Sequence, residues 1–216
     1  MLVPPWLTVV AIVWLALSLI SAAYLLFDVV RRDRPIMAVI KWAWPITALY
    51  FGPFAIWAYH SMGLTPKHTD EPFWPYVVKG DTHCGGGCTL GDIVGEWTVY
   101  WLAWTIAGLA LWPELFVDFV LAFALGIVFQ YFAIAPMRRL GGKEGIVAAL
   151  KADTLSLVAF EVGLFAWMIL SSYVFFQHDL YPNRPAYWFM MQVGMIIGFG
   201  TSFPMNWWLI RAGLKE

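Results

Sequence analysis

The residues best suited to chemistry lie in one short stretch, which contains the only two cysteines of the chain. An imidazole, two thiols and a carboxylate occur there within ten residues, and these groups are typical ligands of zinc. Two thiolates near a histidine also suit copper(I). The candidate metal ligands are His83, Cys84, Cys88 and Asp92, and copper or zinc is the candidate ion.

The local sequence predicts how this stretch is built. Gly85–Gly87 separate the two cysteines, and three glycines permit an open backbone that larger residues disfavour. Thr89, followed three residues later by Asp92, resembles a helix N-cap with an acidic third position. A helix is therefore expected to begin here, with Cys88 just before its first turn, where free backbone N–H groups favour the thiolate.

Other polar residues lie near the ends of the apolar segments and are candidates for an ion or proton path. Glu161 is expected about 12 Å deeper than Asp153, and an ionisable group at such depth is costly and indicates function. Asp153 has a simpler alternative as a helix cap. Asp118 approaches from the opposite side and is left outside the path. The path residues are Glu96, Gln130, Asp153, Glu161 and Asn206.

Composition determines the class of protein. Of 216 residues, 61% are hydrophobic and 12% are charged, and the mean hydropathy is +0.70. These values exclude a disordered chain, a coiled coil, a secreted disulfide scaffold and an ordinary soluble enzyme. The net charge of −1 provides no basic surface for nucleic acid. A polytopic membrane protein is indicated, with the lipid bilayer as its principal partner.

The apolar stretches predict an all-α membrane helical bundle of about six transmembrane helices, since about 20 apolar residues cross the hydrocarbon core. The expected spans are 6–30, 37–60, 93–112, 115–135, 154–176 and 187–210. Residues 1–60 would form a two-helix membrane segment, 61–91 a polar loop rich in Cys, His and Gly, and 92–216 a four-helix membrane core. A very short turn around Pro113 would join the third and fourth spans.

Several stretches together resemble an uncharacterised prokaryotic membrane family, a domain of unknown function. They are the segment His83–Glu96, the run Lys151–Ser156, Glu161, and the C-terminal PMNWWLIR that ends at Arg211. The resemblance covers about residues 80–216 well and the first two segments more loosely. It implies a multi-helix domain in a prokaryotic plasma membrane and no particular activity.

Three functions remain open from the sequence. The protein could bind or translocate a transition metal, cycle Cys84 and Cys88 between dithiol and disulfide, or serve as a structural subunit of a membrane complex. Whether it is an enzyme stays open, and other membrane subunits or a second copy of the chain are possible partners. The sequence contains no nucleotide-binding motif. A haem would need paired histidines inside helices, whereas the four histidines lie at segment ends or in loops.

Overall fold

The computed structural model describes residues 3–32, 38–64 and 72–215, which form an all-α bundle. The helices are α1 (Pro5–Arg31), α2 (Ala38–Phe51), α3 (Pro53–Ala58), α4 (Phe73–Leu102), α5 (Leu111–Arg138), α6 (Gly142–Leu170) and α7 (Pro185–Arg211). Single π-helical turns extend α3 over Tyr59–Gly63 and α6 over Ser171–Phe175.

Three helices within the described residues are long and apolar enough to cross a membrane: Pro5–Arg31, Leu111–Pro136 and Gly142–Phe175. The expectation of six such helices is not supported. The second expected span is broken, because Gly52 adopts a φ of +56° between α2 and α3. The third ends early, because α4 stops at Leu102 and Ala103 adopts a φ of +49° at the start of a connection.

The structure differs most from the sequence-based expectation over residues 61–91. Residues 65–71 lie outside the described part, and residues 73–91 are helical and belong to α4 rather than to a loop. The Cys-Gly-Gly-Gly-Cys motif is therefore in the middle of a long helix, and Thr89 is not an N-cap. The short turn expected at Pro113 is instead a connection over residues 103–110, and Pro113 lies in the first turn of α5.

Close contact with neighbouring helices explains why α4 tolerates its glycines. Each interior glycine costs roughly 1 kcal/mol relative to alanine, yet α4 packs against α2, α5, α6 and α7. A Cβ atom at Gly87 would lie 2.6 Å from the Cα atom of Gly126, and one at Gly91 would lie 2.3 Å from the backbone nitrogen of Ala122. Small residues thus let α4 and α5 approach closely, as in membrane helix pairs.

The side chains that cover the outside of the long apolar helices are themselves apolar, which fits contact with lipid. Large hydrophobic residues are exposed along all three candidate spans. Examples are Val9, Ile12 and Ile20 on α1, Phe116 and Phe132 on α5, and Leu155 and Val162 on α6.

The close approach of α4 and α5 predicts a position-specific effect of added volume. Gly91→Ala should destabilise the bundle by about 1–3 kcal/mol, because overpacking forces the helices apart. Gly200→Ala is the matched control, since a Cβ on this α7 glycine meets no atom within 4 Å. Thermal unfolding in detergent should show a lower midpoint for the first variant and no decrease for the second. Equal midpoints would contradict the packing described here.

Candidate functional site

The buried face of α4 carries a continuous line of polar side chains through the bundle. Its members recur every three or four residues, which places them on one side of a helix. The line extends about 22 Å along the helix axis, a large part of the roughly 30 Å thickness of a hydrocarbon core. Its members, all buried, are Asp81, Cys84, Cys88, Asp92 and Glu96.

At one end of the line, hydrogen bonds connect α4 to α7. The Asp81 carboxylate accepts bonds from the Ser202 hydroxyl and the Asn206 side-chain amide, both at 2.6 Å. The second Asp81 oxygen accepts no hydrogen bond from the described residues. Asn206, expected near this side, is therefore part of the site.

A buried ion pair lies at the same end. The Lys215 ammonium donates to the Asp153 carboxylate at 2.6 Å, and both side chains are almost fully enclosed. Burial lowers the pKa of Lys215, but Asp153, Cys84 and Asp81 raise it, and the resulting pKa is above its usual value. Lys215 is thus a positive charge held inside the bundle. Asp153 lies within α6 and binds this lysine, so it does not cap a helix.

The two cysteines lie at the next level of the line. Both are free thiols and fully buried. The Ser156 hydroxyl donates to the Cys84 sulfur at 3.4 Å, and the Cys88 thiol lies beside both Cys84 and the Glu161 carboxyl. Neither Glu161 oxygen accepts a well-formed hydrogen bond from the described residues.

A third group of polar residues lies at the far end of the line. Glu96 lies beside Asp118 of α5 and Tyr187 of α7, and Glu114 of α5 is near enough to interact with Glu96 electrostatically. Asp118 was left outside the path in the sequence-based interpretation. The antiparallel packing of α4 and α5 brings it opposite Gly95.

A family model described as Domain of unknown function (DUF4396) matches residues 73–215. The chain belongs to this family. The matched region begins with α4 and extends to Lys215, so the DUF4396 domain contains the entire polar line. No curated protein and no solved structure matches the chain.

The four candidate metal ligands do not all converge in the DUF4396 domain. The His83 ring faces Phe129 of α5, with ring centroids 6.0 Å apart. His83 and Asp92 are nine residues apart on one helix, which separates them by about 13 Å along the axis. Among the described residues, no three His, Cys, Asp or Glu side chains form a group that could hold a metal ion.

The buried acids outnumber the buried cations. Unpaired charge is costly in an apolar interior, so the surplus carboxylates must carry protons or bind cations. Asp28 is separate, since it pairs with Arg32 at the end of α1. Lys215 is the one buried lysine or arginine in the described ranges. The other buried acids are Asp81, Asp92, Glu96, Glu114, Asp118, Asp153 and Glu161.

Several members of the site were missed from the sequence, and the helical spacing of polar residues could have found one of them. Asp81 precedes Cys84 and Cys88 at the same three- to four-residue interval, which becomes visible once residues 73–91 are taken as helix. Tyr50 has no such signal. Its hydroxyl lies 2.8 Å from where a Cβ of Gly85 would be, a contact that only the packing of α2 on α4 reveals.

Gln130 is buried on α5, near the level of His83.

The buried ion pair predicts a strong effect of removing the lysine. Lys215→Met leaves Asp153 without its cation, which should cost about 3–5 kcal/mol of stability. The double variant Lys215→Met, Asp153→Asn should recover part of this loss. Lys151→Met is the control, because that lysine is exposed on the same helix as Asp153. Thermal unfolding in detergent measures all three, and a Lys215→Met protein as stable as the control would contradict the pairing.

Proposed function

We propose that the protein is a multi-pass protein of a cell membrane that binds a transition-metal ion at Cys84 and Cys88 and moves cations along the polar line. One observation carries this proposal. Two free thiols lie in the middle of a buried series of carboxylates that crosses most of the bundle. Thiols select soft metal ions, and the acids provide negative charge on both sides of them.

The packing of α4 supports the multi-pass part of the proposal. The contacts between α4 and α5 pair rising residue numbers on α4 with falling numbers on α5, so the two helices are antiparallel. The contacting pairs are Gly87 with Gly126, Gly91 with Ala122 and Gly95 with Asp118. The helix α5 is long and apolar enough to span a membrane, and on this proposal α4 lies in the same layer beside it. Neighbouring helices enclose the charges of α4, which removes the cost of exposing them to lipid.

The arrangement of the two thiols favours copper(I) over zinc. Structural zinc sites use four ligands, whereas two thiolates suffice for copper(I), a soft ion. Cys84 and Cys88 lie on one face of α4, and Glu161 is positioned to receive a proton that a metal-bound thiol releases. Asp92 then serves the neighbouring level of the path, and the His83 ring lies against Phe129 of α5.

The remaining path residues have distinct positions in this function. Asp92 and Glu96 continue the line on one side of the thiols. On the other side, Asp153 and Asn206 belong to the group around Lys215 and Asp81. A cation or a counter-moving proton would pass between these two groups, with the cysteine level at the centre.

Metal content tests the cysteine site. Protein purified in detergent from copper-supplemented cells should contain copper by elemental mass spectrometry. The double variant Cys84→Ser, Cys88→Ser should retain only background metal, because serine hydroxyls are poor ligands for soft ions. Thr82→Ser is the control, since it alters a buried residue on the same helix.

Each other result has a definite meaning. An equal copper content in the double variant and the wild type would contradict the proposal. Zinc in place of copper would change the ion and keep the site. A metal-free protein whose cysteines oxidise and reduce reversibly would favour the thiol–disulfide function instead, and a metal-free, redox-inert protein would favour a structural subunit.

Protonation of Glu161 predicts a pH dependence of metal binding. A thiol must lose its proton to bind the metal, and Glu161 can take up that proton only as a carboxylate, so affinity should fall as pH falls. Glu161→Gln keeps the shape and removes one titrating group, and its affinity should change less steeply with pH. Glu144→Gln, an exposed acid in the first turn of α6, is the control. A Glu161→Gln protein with the full wild-type pH response would show that this carboxyl does not take part.

A further inference from the structure

The acids at the far end of the polar line meet a cavity. The cavity has a volume of about 240 Å³ and is bounded by the connections before α5 and before α7. Tyr181, whose side chain is 43% exposed, lies at its outer rim, and Glu114 and Tyr187 line it further inside. Water can therefore reach Glu114 and Tyr187, and Glu96 and Asp118, which do not line the cavity themselves, lie just behind Tyr187.

Asp118 occupies a niche that α4 leaves open for it. Its Oδ1 atom lies 2.0 Å from where a Cβ of Gly95 would be, so no other residue type at position 95 leaves room for the carboxyl in this place. The Asp118 side chain is only 1% exposed and lies beside the Glu96 carboxyl, yet neither of its oxygens accepts a well-formed hydrogen bond from the described residues.

Tyr187 is a second buried polar group at the same place. Its side chain is 2% exposed, and its hydroxyl lies beside the Glu96 carboxyl without forming a well-aligned hydrogen bond among the described residues. The hydroxyl is close enough to interact with Glu96, Glu114 and Asp118. A buried hydroxyl and a buried carboxyl without well-formed hydrogen bonds are both costly, which is consistent with a ligand that completes this site.

Charge selects the class of ligand. Glu96 and Asp118 lie side by side, and no described lysine or arginine forms an ion pair with either. Oxygen ligands suit hard ions, and Mg²⁺ is commonly held by one or two carboxylates while it keeps several waters. A divalent cation also neutralises two carboxylates completely. Because the adjoining cavity has room for waters, the site does not need a third acidic ligand.

We propose that Glu96 and Asp118 bind a hydrated Mg²⁺-like divalent cation just behind the inner wall of the cavity, with the Tyr187 hydroxyl as a further ligand or water partner. The cation would enter through the cavity from the side of the membrane opposite Lys215. The site consists of oxygen ligands of α4, α5 and α7, and it exists whether or not a metal binds at the cysteines.

Mn²⁺ is a suitable probe for such a site, because free Mn²⁺ in solution gives an electron paramagnetic resonance signal that disappears when the ion binds to protein. Titration of the purified wild type should reduce the free Mn²⁺ signal, and added Mg²⁺ should restore it. Asp118→Asn and Glu96→Gln should each weaken Mn²⁺ binding at least about tenfold. Loss of a residue that only supports a metal ligand already costs about that much, and these residues are proposed as ligands themselves. Tyr187→Phe, which removes only the hydroxyl, should weaken binding less than either.

The controls separate this site from the cysteine site. Asp179→Asn removes an acid that pairs with Arg184 in the connection before α7, and it should bind Mn²⁺ as the wild type does. The double variant Cys84→Ser, Cys88→Ser should also keep Mn²⁺ binding, and Asp118→Asn should keep copper. Failure of the copper experiment alone therefore leaves this site intact.

Two results would overturn the proposal. One is a wild-type protein that leaves the Mn²⁺ signal unchanged, in which case the acid pair holds a proton. The other is Asp118→Asn and Glu96→Gln proteins that bind Mn²⁺ with wild-type affinity. Tyr187→Phe and Glu96→Gln keep the test decisive if Asp118→Asn fails to fold.

Discussion

Enclosure of α4 is the constraint on which the rest of the bundle depends. This helix carries three carboxylates and two thiols on its buried face, and it meets α2, α5, α6 and α7. Charged and polar residues are stable in an apolar interior only if neighbouring helices enclose and pair them. The glycines of α4 make this possible, since they let α2, α5 and α6 approach its backbone. The composition that looks like a flexible loop in the sequence is the composition of a central helix.

The sequence predicted the helical class and most of the long helices well, because apolar runs of sufficient length have few alternatives. α1 and α7 begin and end within two residues of the expected spans. The error at residues 61–91 has a definite cause. Glycine is read as a helix breaker from its backbone entropy, but a central helix gains more from close packing than it loses to that entropy. The number of helices that could span a membrane was overestimated for a different reason, since Gly52 and Ala103 interrupt two of the expected spans with positive φ angles.

The sequence also identified which residue types carry the chemistry, but not how they are distributed. His83, Cys84, Cys88 and Asp92 are close in sequence, and a loop could have brought them together. On a helix, Cys84, Cys88 and Asp92 share a face but lie at different depths, and His83 points in another direction. Asp118 illustrates the reverse case. It is far from Glu96 in sequence and was not expected in the path, but the antiparallel packing of α4 and α5 places the two side chains next to each other. Pairing between helices is a tertiary property that periodicity alone does not determine.

Complete burial of both thiols has a practical consequence. A polar maleimide reacts with accessible thiols, so the folded protein should be silent to it while the unfolded chain reacts twice. The native cysteines thus report global unfolding in a membrane or a detergent micelle without any added label. They also leave the surface free of background, so that a single cysteine introduced at an exposed position can be modified selectively.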